Sequence, residues 1–69
     1  MTVKRVEQLG KLIKDERHRL GMNQSECAAL CGVGNRFFSE LENGKPTLEI
    51  DKVMKVANLM GFDIKVEHK

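Results

Sequence analysis

Residues 23–45, NQSECAALCGVGNRFFSELENGK, place two short apolar-striped segments on either side of a glycine-bearing break. A lone helix under about 12 residues is marginal in water, so something other than stability sets these lengths. Asn23 stands where an N-cap belongs, and Glu26 three residues on completes a pattern close to the capping box. The helix opened there puts Cys27, Ala28 and Cys31 on its inner face and ends at Gly32. The next helix runs from about Asn35 to Asn43, with Phe38 and Leu41 inward and Gly44 as its stop. The small side chain of Ala28 lets the two helices cross closely, and Cys27, Cys31, Val33, Phe38 and Leu41 hold them together. The remaining face of the later helix shows Asn35, Arg36, Phe37, Ser39, Glu40 and Asn43. Such a density of amide, guanidinium, hydroxyl and carboxylate groups suits base edges: arginine to guanine, asparagine to adenine, glutamate to cytosine. A helix of about two to three turns also fits the major groove of DNA, which accounts for the length.

Working outward, residues 5–20, RVEQLGKLIKDERHRL, align Leu9, Leu12 and Ile13 on one helix face, and Gly21 occupies the C′ position. Gly10 lowers helix propensity within that segment and predicts a frayed first turn. On the other side, Pro46 marks a loop and Thr47 an N-cap. The segment LEIDKVMKVANLM then repeats Ile50, Val53, Met54, Ala57 and Met60 at helical spacing, ending at Gly61. Residues 62–67, FDIKVE, change period and alternate apolar with charged, the pattern of a half-buried strand. No second strand pattern accompanies them, and a lone strand leaves its backbone groups unpaired. The expectation is that Phe62, Ile64 and Val66 form a dimerisation strand that pairs with its own copy about a two-fold axis. A frayed charged tail is the alternative. The fold class expected is mainly all-α, a single domain over residues 1–69 with 62–67 as the dimerisation strand.

A chain of 69 residues is one domain at most, with a small core. Its 41% hydrophobic and 32% charged content describe a folded soluble chain. No apolar run reaches the roughly 18 residues of a membrane span, and the N-terminus lacks the apolar core of a signal peptide. A cytoplasmic protein with no membrane partner is expected. Cys27 and Cys31 share a helix face without a second ligand pair, so they read as small core residues; no metal and no cofactor is expected. The isolated His18 and His68, the lack of a glycine-rich phosphate cradle and the short chain argue against an enzyme, and no catalytic residue is assigned. Asp15, Glu16 and Glu49 read as solvated helix-surface charges. A net charge of +2 permits contact with nucleic acid without demanding it.

The stretch resembles the helix-turn-helix of the lambdoid phage repressor and Cro class, the XRE family. The residues that carry the likeness are NQ at 23–24, Ala28, Gly32 and LENGK at 41–45, and it extends over about residues 9–60. The resemblance implies a lambda-repressor-like domain of four to five helices that binds a double-stranded DNA operator. It implies base contacts from Asn35, Arg36 and Glu40, with Phe37 and Ser39 on the same surface, and phosphate contacts from Asn23, Gln24, Asn43 and Lys45. It also implies a partly buried structural pair between Arg17 and Glu42, which removes Glu42 from the base-reading set. Phe37 departs from the small polar residue common at its place; it presses on a thymine methyl or packs against a neighbouring helix or partner. Family members tend to finish with a fifth helix, whereas here a strand pattern follows Gly61. That ending, and VGNRFFSELENGKPTLEIDKVMKVANLMG throughout, resembles the HipB-type antitoxins. This likeness implies a homodimeric repressor of its own operon that binds a HipA-like serine/threonine kinase toxin.

Two other functions remain open from the residues. One is a helix-turn-helix protein-interaction module with no specific DNA binding, to which an exposed Phe37 and the low net charge are suited. The other is a stand-alone regulator of the phage or restriction–modification controller type, which shares the DNA chemistry and differs in partners.

Overall fold

The computed structural model describes residues 2–68. Four helices follow one another along the chain: α1 (Val6–Arg19), α2 (Gln24–Cys31), α3 (Asn35–Glu42) and α4 (Ile50–Leu59). All four end by the same device. The N–H groups of Met22, Val33, Lys45 and Phe62 reach back to the carbonyls of Arg17, Ala28, Glu40 and Ala57 at 2.9–3.2 Å. This closure puts the residue before each donor in the left-handed region, and those residues are Gly21, Gly32, Gly44 and Gly61. At the start of α2, Asn23 Oδ1 accepts from the Glu26 N–H at 2.8 Å. Glu26 Oε1 accepts from the Asn23 N–H at 2.9 Å, so the capping box is complete.

The core lies where α3 crosses α1 and α2 and where α4 closes over α2. Ile13 of α1, Cys27 and Ala28 of α2, Phe38 and Leu41 of α3, and Val56 and Ala57 of α4 are fully enclosed. Cys27 and Cys31 are buried thiols, and burial raises the pKa of each, which keeps them protonated at neutral pH.

Four sequence expectations need correction. Gly10 does not fray α1, which runs unbroken through it from Val6. It is buried at the crossing with α3, where a Cβ would collide with the Leu41 carbonyl oxygen and lie 2.9 Å from that of Glu42. The propensity cost of a helical glycine is outweighed by the backbone approach it permits. Thr47 is not the N-cap of the last helix; Glu49 occupies that place, without a side-chain cap bond.

The apolar stripe of α4 is also rotated from the one expected. Val53, Val56, Ala57 and Met60 are buried, while Ile50 and Met54 are 64% and 39% exposed. Val53, Val56 and Ala57 are small side chains, and Met60 at the C-cap is the one long side chain enclosed with them. Finally, residues 62–68 form no strand. A strand requires a paired neighbour, and the described chain contains no other strand to supply one. Phe62 is half-buried against the core, Ile64 is 41% exposed and Val66 97% exposed. The described fold is therefore four helices with an extended C-terminal segment. None of these helices is long and apolar enough to cross a membrane.

Substitution Gly10→Ala is expected to destabilise the protein by about 1–3 kcal/mol, because the added methyl meets rigid backbone rather than a side chain that can move. By contrast, Gly34→Ser meets open space at an N-cap that has no side-chain bond. It is expected to stabilise by about 0.5–1 kcal/mol. Urea unfolding of the two variants beside the parent chain measures both, and the opposite signs are the check.

Candidate nucleic-acid interface

Three backbone segments are held together by one carboxylate. Glu42 ends α3 with its side chain turned inward and 1% exposed. Arg17, in the last turn of α1, grips it with two nitrogens of its planar fork: Nε to Oε2 at 2.6 Å and Nη2 to Oε1 at 3.0 Å. The third guanidinium nitrogen, Nη1, donates to the Met22 carbonyl at 3.0 Å and so ties down the connection into α2. Gln24 Nε2, at the first residue of α2, donates to the same Oε1 of Glu42 at 2.9 Å. Among the described residues every buried side-chain nitrogen and oxygen has a partner. Burial by itself would raise the Glu42 pKa, but the bonds from Arg17 and Gln24 and the arginine charge pull it below the ordinary 4.5.

With the inner face of α3 fixed by Phe38, Leu41 and Glu42, its outer face is fixed as well. Asn35 and Arg36 project from the first turn into solvent; Ser39 and Glu40 are half-buried one turn on, and Asn43 and Lys45 emerge beyond the end. This brings the expected base-reading residues Asn35, Arg36, Ser39 and Glu40 onto one surface. Asn35 Nδ2 also reaches Ser25 Oγ on α2, at a long 3.4 Å. Phe37 is set apart from them: its ring packs against the margin of the core, with the Lys52 ammonium of α4 5.9 Å from the ring centroid. That contact is a cation–π pair across α3 and α4.

The expected phosphate-contacting residues are placed unequally. Asn43 and Lys45 are exposed. Asn23 has its Oδ1 committed to the helix cap, and Gln24 has one amide hydrogen committed to Glu42. Asn23 keeps both amide hydrogens and Gln24 keeps one, since a primary amide carries two. Phe62, Ile64 and Val66 lie apart from this surface, on the segment after α4.

Two cations join Glu40, Arg36 at the i, i+4 helical spacing and Lys45 at a spacing that no helical pattern supplies. Lys45 Nζ donates to Glu40 Oε2 at 2.9 Å, and Arg36 Nε lies 3.6 Å from the same oxygen. Five residues separate Glu40 from Lys45, which is not a helical pairing distance; the glycine turn at Gly44 folds Lys45 back over the last turn of α3. The Glu40 carboxyl is pulled below its ordinary value, mainly by the bond from Lys45. Gly44 has a second duty, since a Cβ there would lie 2.6 Å from Glu7 Cβ on α1. The sequence signal for such approaches was present in Gly10 and Gly44, but their partners lie too far along the chain to be named from it. No cluster of three or more potential metal-ligating side chains occurs among the described residues.

Comparison with known proteins agrees with this geometry. Residues 3–69 match the family model of a helix-turn-helix domain. The chain is 38% identical over 64 residues to the uncharacterized HTH-type transcriptional regulator y4mF of Sinorhizobium fredii, covering 93% of this chain and 84% of that protein. It is 32% identical over 60 residues to the ImmF control region 10 kDa protein of Bacillus phage phi105, covering 87% and 67%. Among solved structures it superposes on a chain of a HipB-O1-O2 complex with a TM-score of 0.82 and 20% identity over 99% of each chain. At that identity the superposition establishes the fold, which is XRE-type and HipB-like.

Substitution Arg17→Met is expected to cost about 3–5 kcal/mol, because it strands a buried carboxylate; Arg17→Met with Glu42→Leu is expected to recover most of that loss. The pH dependence has a definite sign. The folded-state pKa of Glu42 lies below its unfolded value, so the unfolded chain binds more protons. The stabilisation is complete above the ordinary value of 4.5 and is lost as pH falls through the lower folded value. Acid unfolding followed by circular dichroism is expected to show this loss in the parent chain and a shallower one in Glu42→Gln.

Proposed function

We propose, from the premise that this chain belongs to the helix-turn-helix domain family, that it is a sequence-specific DNA-binding transcriptional repressor acting as a homodimer in the cytoplasm. The observation that carries the proposal is the surface of α3. Its inner side is locked by the buried Glu42 network, and its outer side presents Asn35, Arg36 and Glu40 together. A rigid polar helix of this length suits insertion into the major groove, where Arg36 pairs with guanine and Asn35 with adenine. Asn23, Gln24, Asn43 and Lys45 flank that helix and suit phosphate oxygens, which supply affinity that falls with salt. Phe37 serves to pack α3 against α4 rather than to read a base. Likeness to the HTH-type transcriptional regulator y4mF supports the same assignment.

The dimer is supported by a groove open to solvent beside α1. Its lining includes Val3, Val6, Leu12, Ile50, Phe62 and Ile64. Residues 62–67 keep the alternation that would let two copies pair antiparallel across this groove and bury it. A two-fold dimer places its two α3 helices in successive major grooves, about 34 Å apart, on a palindromic operator. The narrower role, antitoxin and autorepressor in a HipBA-like toxin–antitoxin module with a HipA-like kinase as partner, is supported by likeness to HipB over the whole chain.

Selection from a random duplex library at two salt concentrations is expected to enrich a palindrome with half-sites one helical turn apart. Recovery of no sequence would refute specific binding. On the selected duplex, Arg36→Ala is expected to weaken binding by about 1–3 kcal/mol and to relax preference at one base pair of each half-site. Deletion of residues 62–69 is expected to shift the protein toward monomer in sedimentation at low micromolar concentration; an unchanged dimer would exclude that segment as the interface.

A further inference from the structure

Glu40 is a negative charge in the middle of a surface that must approach phosphate. It stands between two cations, with Lys45 Nζ at 2.9 Å and Arg36 Nε at 3.6 Å from one carboxylate oxygen. All three side chains belong to the proposed DNA-facing surface, and they differ in exposure. Arg36 is 88% exposed, Lys45 43% and Glu40 27%. The carboxylate is the fixed member, and the two cations are drawn back onto it. The other two exposed lysine–carboxylate pairs resolved, Lys11–Asp15 on α1 and Lys52–Glu49 at the start of α4, lie outside this surface.

We propose that Glu40 is an internal counter-ion that discriminates between sequences by masking Lys45 and Arg36 on every duplex except one that offers its carboxylate a base donor. The inference deepens the DNA-binding function proposed above and rests on it. On an arbitrary duplex, Lys45 can reach a phosphate only by leaving Glu40. The abandoned carboxylate then faces a polyanion and must recruit a cation from solution. That uptake offsets the counter-ion release which drives non-specific binding. On the operator, a cytosine N4 amino group in the major groove donates to Glu40 in place of Lys45. The carboxylate stays satisfied, and both cations are free for the DNA. Glu40 thus weakens binding everywhere and is compensated at one base-pair position per half-site. A chain with a net charge of only +2 gains selectivity in this way without added cationic surface.

The test compares Glu40→Gln with Asp15→Asn, which also removes one negative charge and releases a lysine, Lys11, but at an exposed site on α1 outside the proposed DNA-facing residues. Binding of the parent and both variants is measured by fluorescence anisotropy on the selected duplex and a scrambled one over a salt series. Glu40→Gln is expected to tighten binding to the scrambled duplex about tenfold and to steepen its salt dependence by about one to two counter-ions. Binding to the selected duplex is expected to change less than about threefold, and repeat selection to lose its preference for one C·G pair per half-site. Asp15→Asn is expected to move neither ratio. In a Lys45→Gln background the gain from Glu40→Gln is expected to shrink to less than about threefold.

Unchanged scrambled-duplex affinity in Glu40→Gln, with the parent still selecting its operator, overturns the counter-ion role and leaves the DNA-binding function standing. An equal gain in Asp15→Asn, or a full gain retained in the Lys45→Gln background, also overturns it by reducing the effect to net charge. Failure of every form to bind any duplex overturns both proposals together.

Discussion

The Arg17–Glu42 pair is the constraint on which the rest of this small fold depends. Its bidentate geometry fixes both the separation and the rotation of α1 against α3, and Gln24 and the Met22 carbonyl extend the same network into α2. Two ions removed from water gain little net stability over an apolar pair of equal volume. What they add is direction. An apolar contact between α1 and α3 tolerates sliding and rotation, whereas a planar guanidinium facing a planar carboxylate tolerates little of either. A helix that reads base edges needs that restriction, since its outer face is useful only at one rotation.

Two backbone approaches act with the pair. Gly10 brings the middle of α1 against the last carbonyls of α3, and Gly44 brings the turn after α3 against Glu7. Both are close because no Cβ intervenes. The end of α3 is thus held between the first turns of α1 and the buried guanidinium, while its first turn is held by Phe38, the margin contact of Phe37 and the long Asn35–Ser25 contact. The first turn of α3 carries the exposed Asn35 and Arg36, and the anchored end carries Glu40, Asn43 and Lys45.

The surface charge follows from the same architecture. The turn closed by Gly44 returns Lys45 to the carboxylate of Glu40, so the cation nearest the end of α3 is not an isolated charge but one member of a cluster. The Phe37–Lys52 contact does similar work at the other edge, where it joins α3 to the start of α4. The exposed apolar side chains of α4 and the C-terminal segment lie apart from these charges.

Much of this was legible in the residues because it depends on local rules. The four glycine stops, the Asn23–Glu26 cap, the inward Phe38 and Leu41 and the exposed Asn35 and Arg36 follow from dihedral preference and helical spacing, which act within a few residues. The likeness carried by NQ at 23–24 and LENGK at 41–45 supplied the pairing of Arg17 with Glu42, which no spacing could have revealed. Tertiary structure decided the remainder. It decided that Gly10 is a contact rather than a weakness, that α4 buries Val56 in place of Ile50 and Met54, that Phe37 turns toward Lys52, and that Glu40 is held by Lys45. It also left residues 62–68 without the strand their alternation suggested. In each case the deciding atoms lie outside the element whose spacing was read. Periodicity states which side of an element is apolar; what that side meets, and which glycine or charge is needed there, is settled only when the segments are brought together.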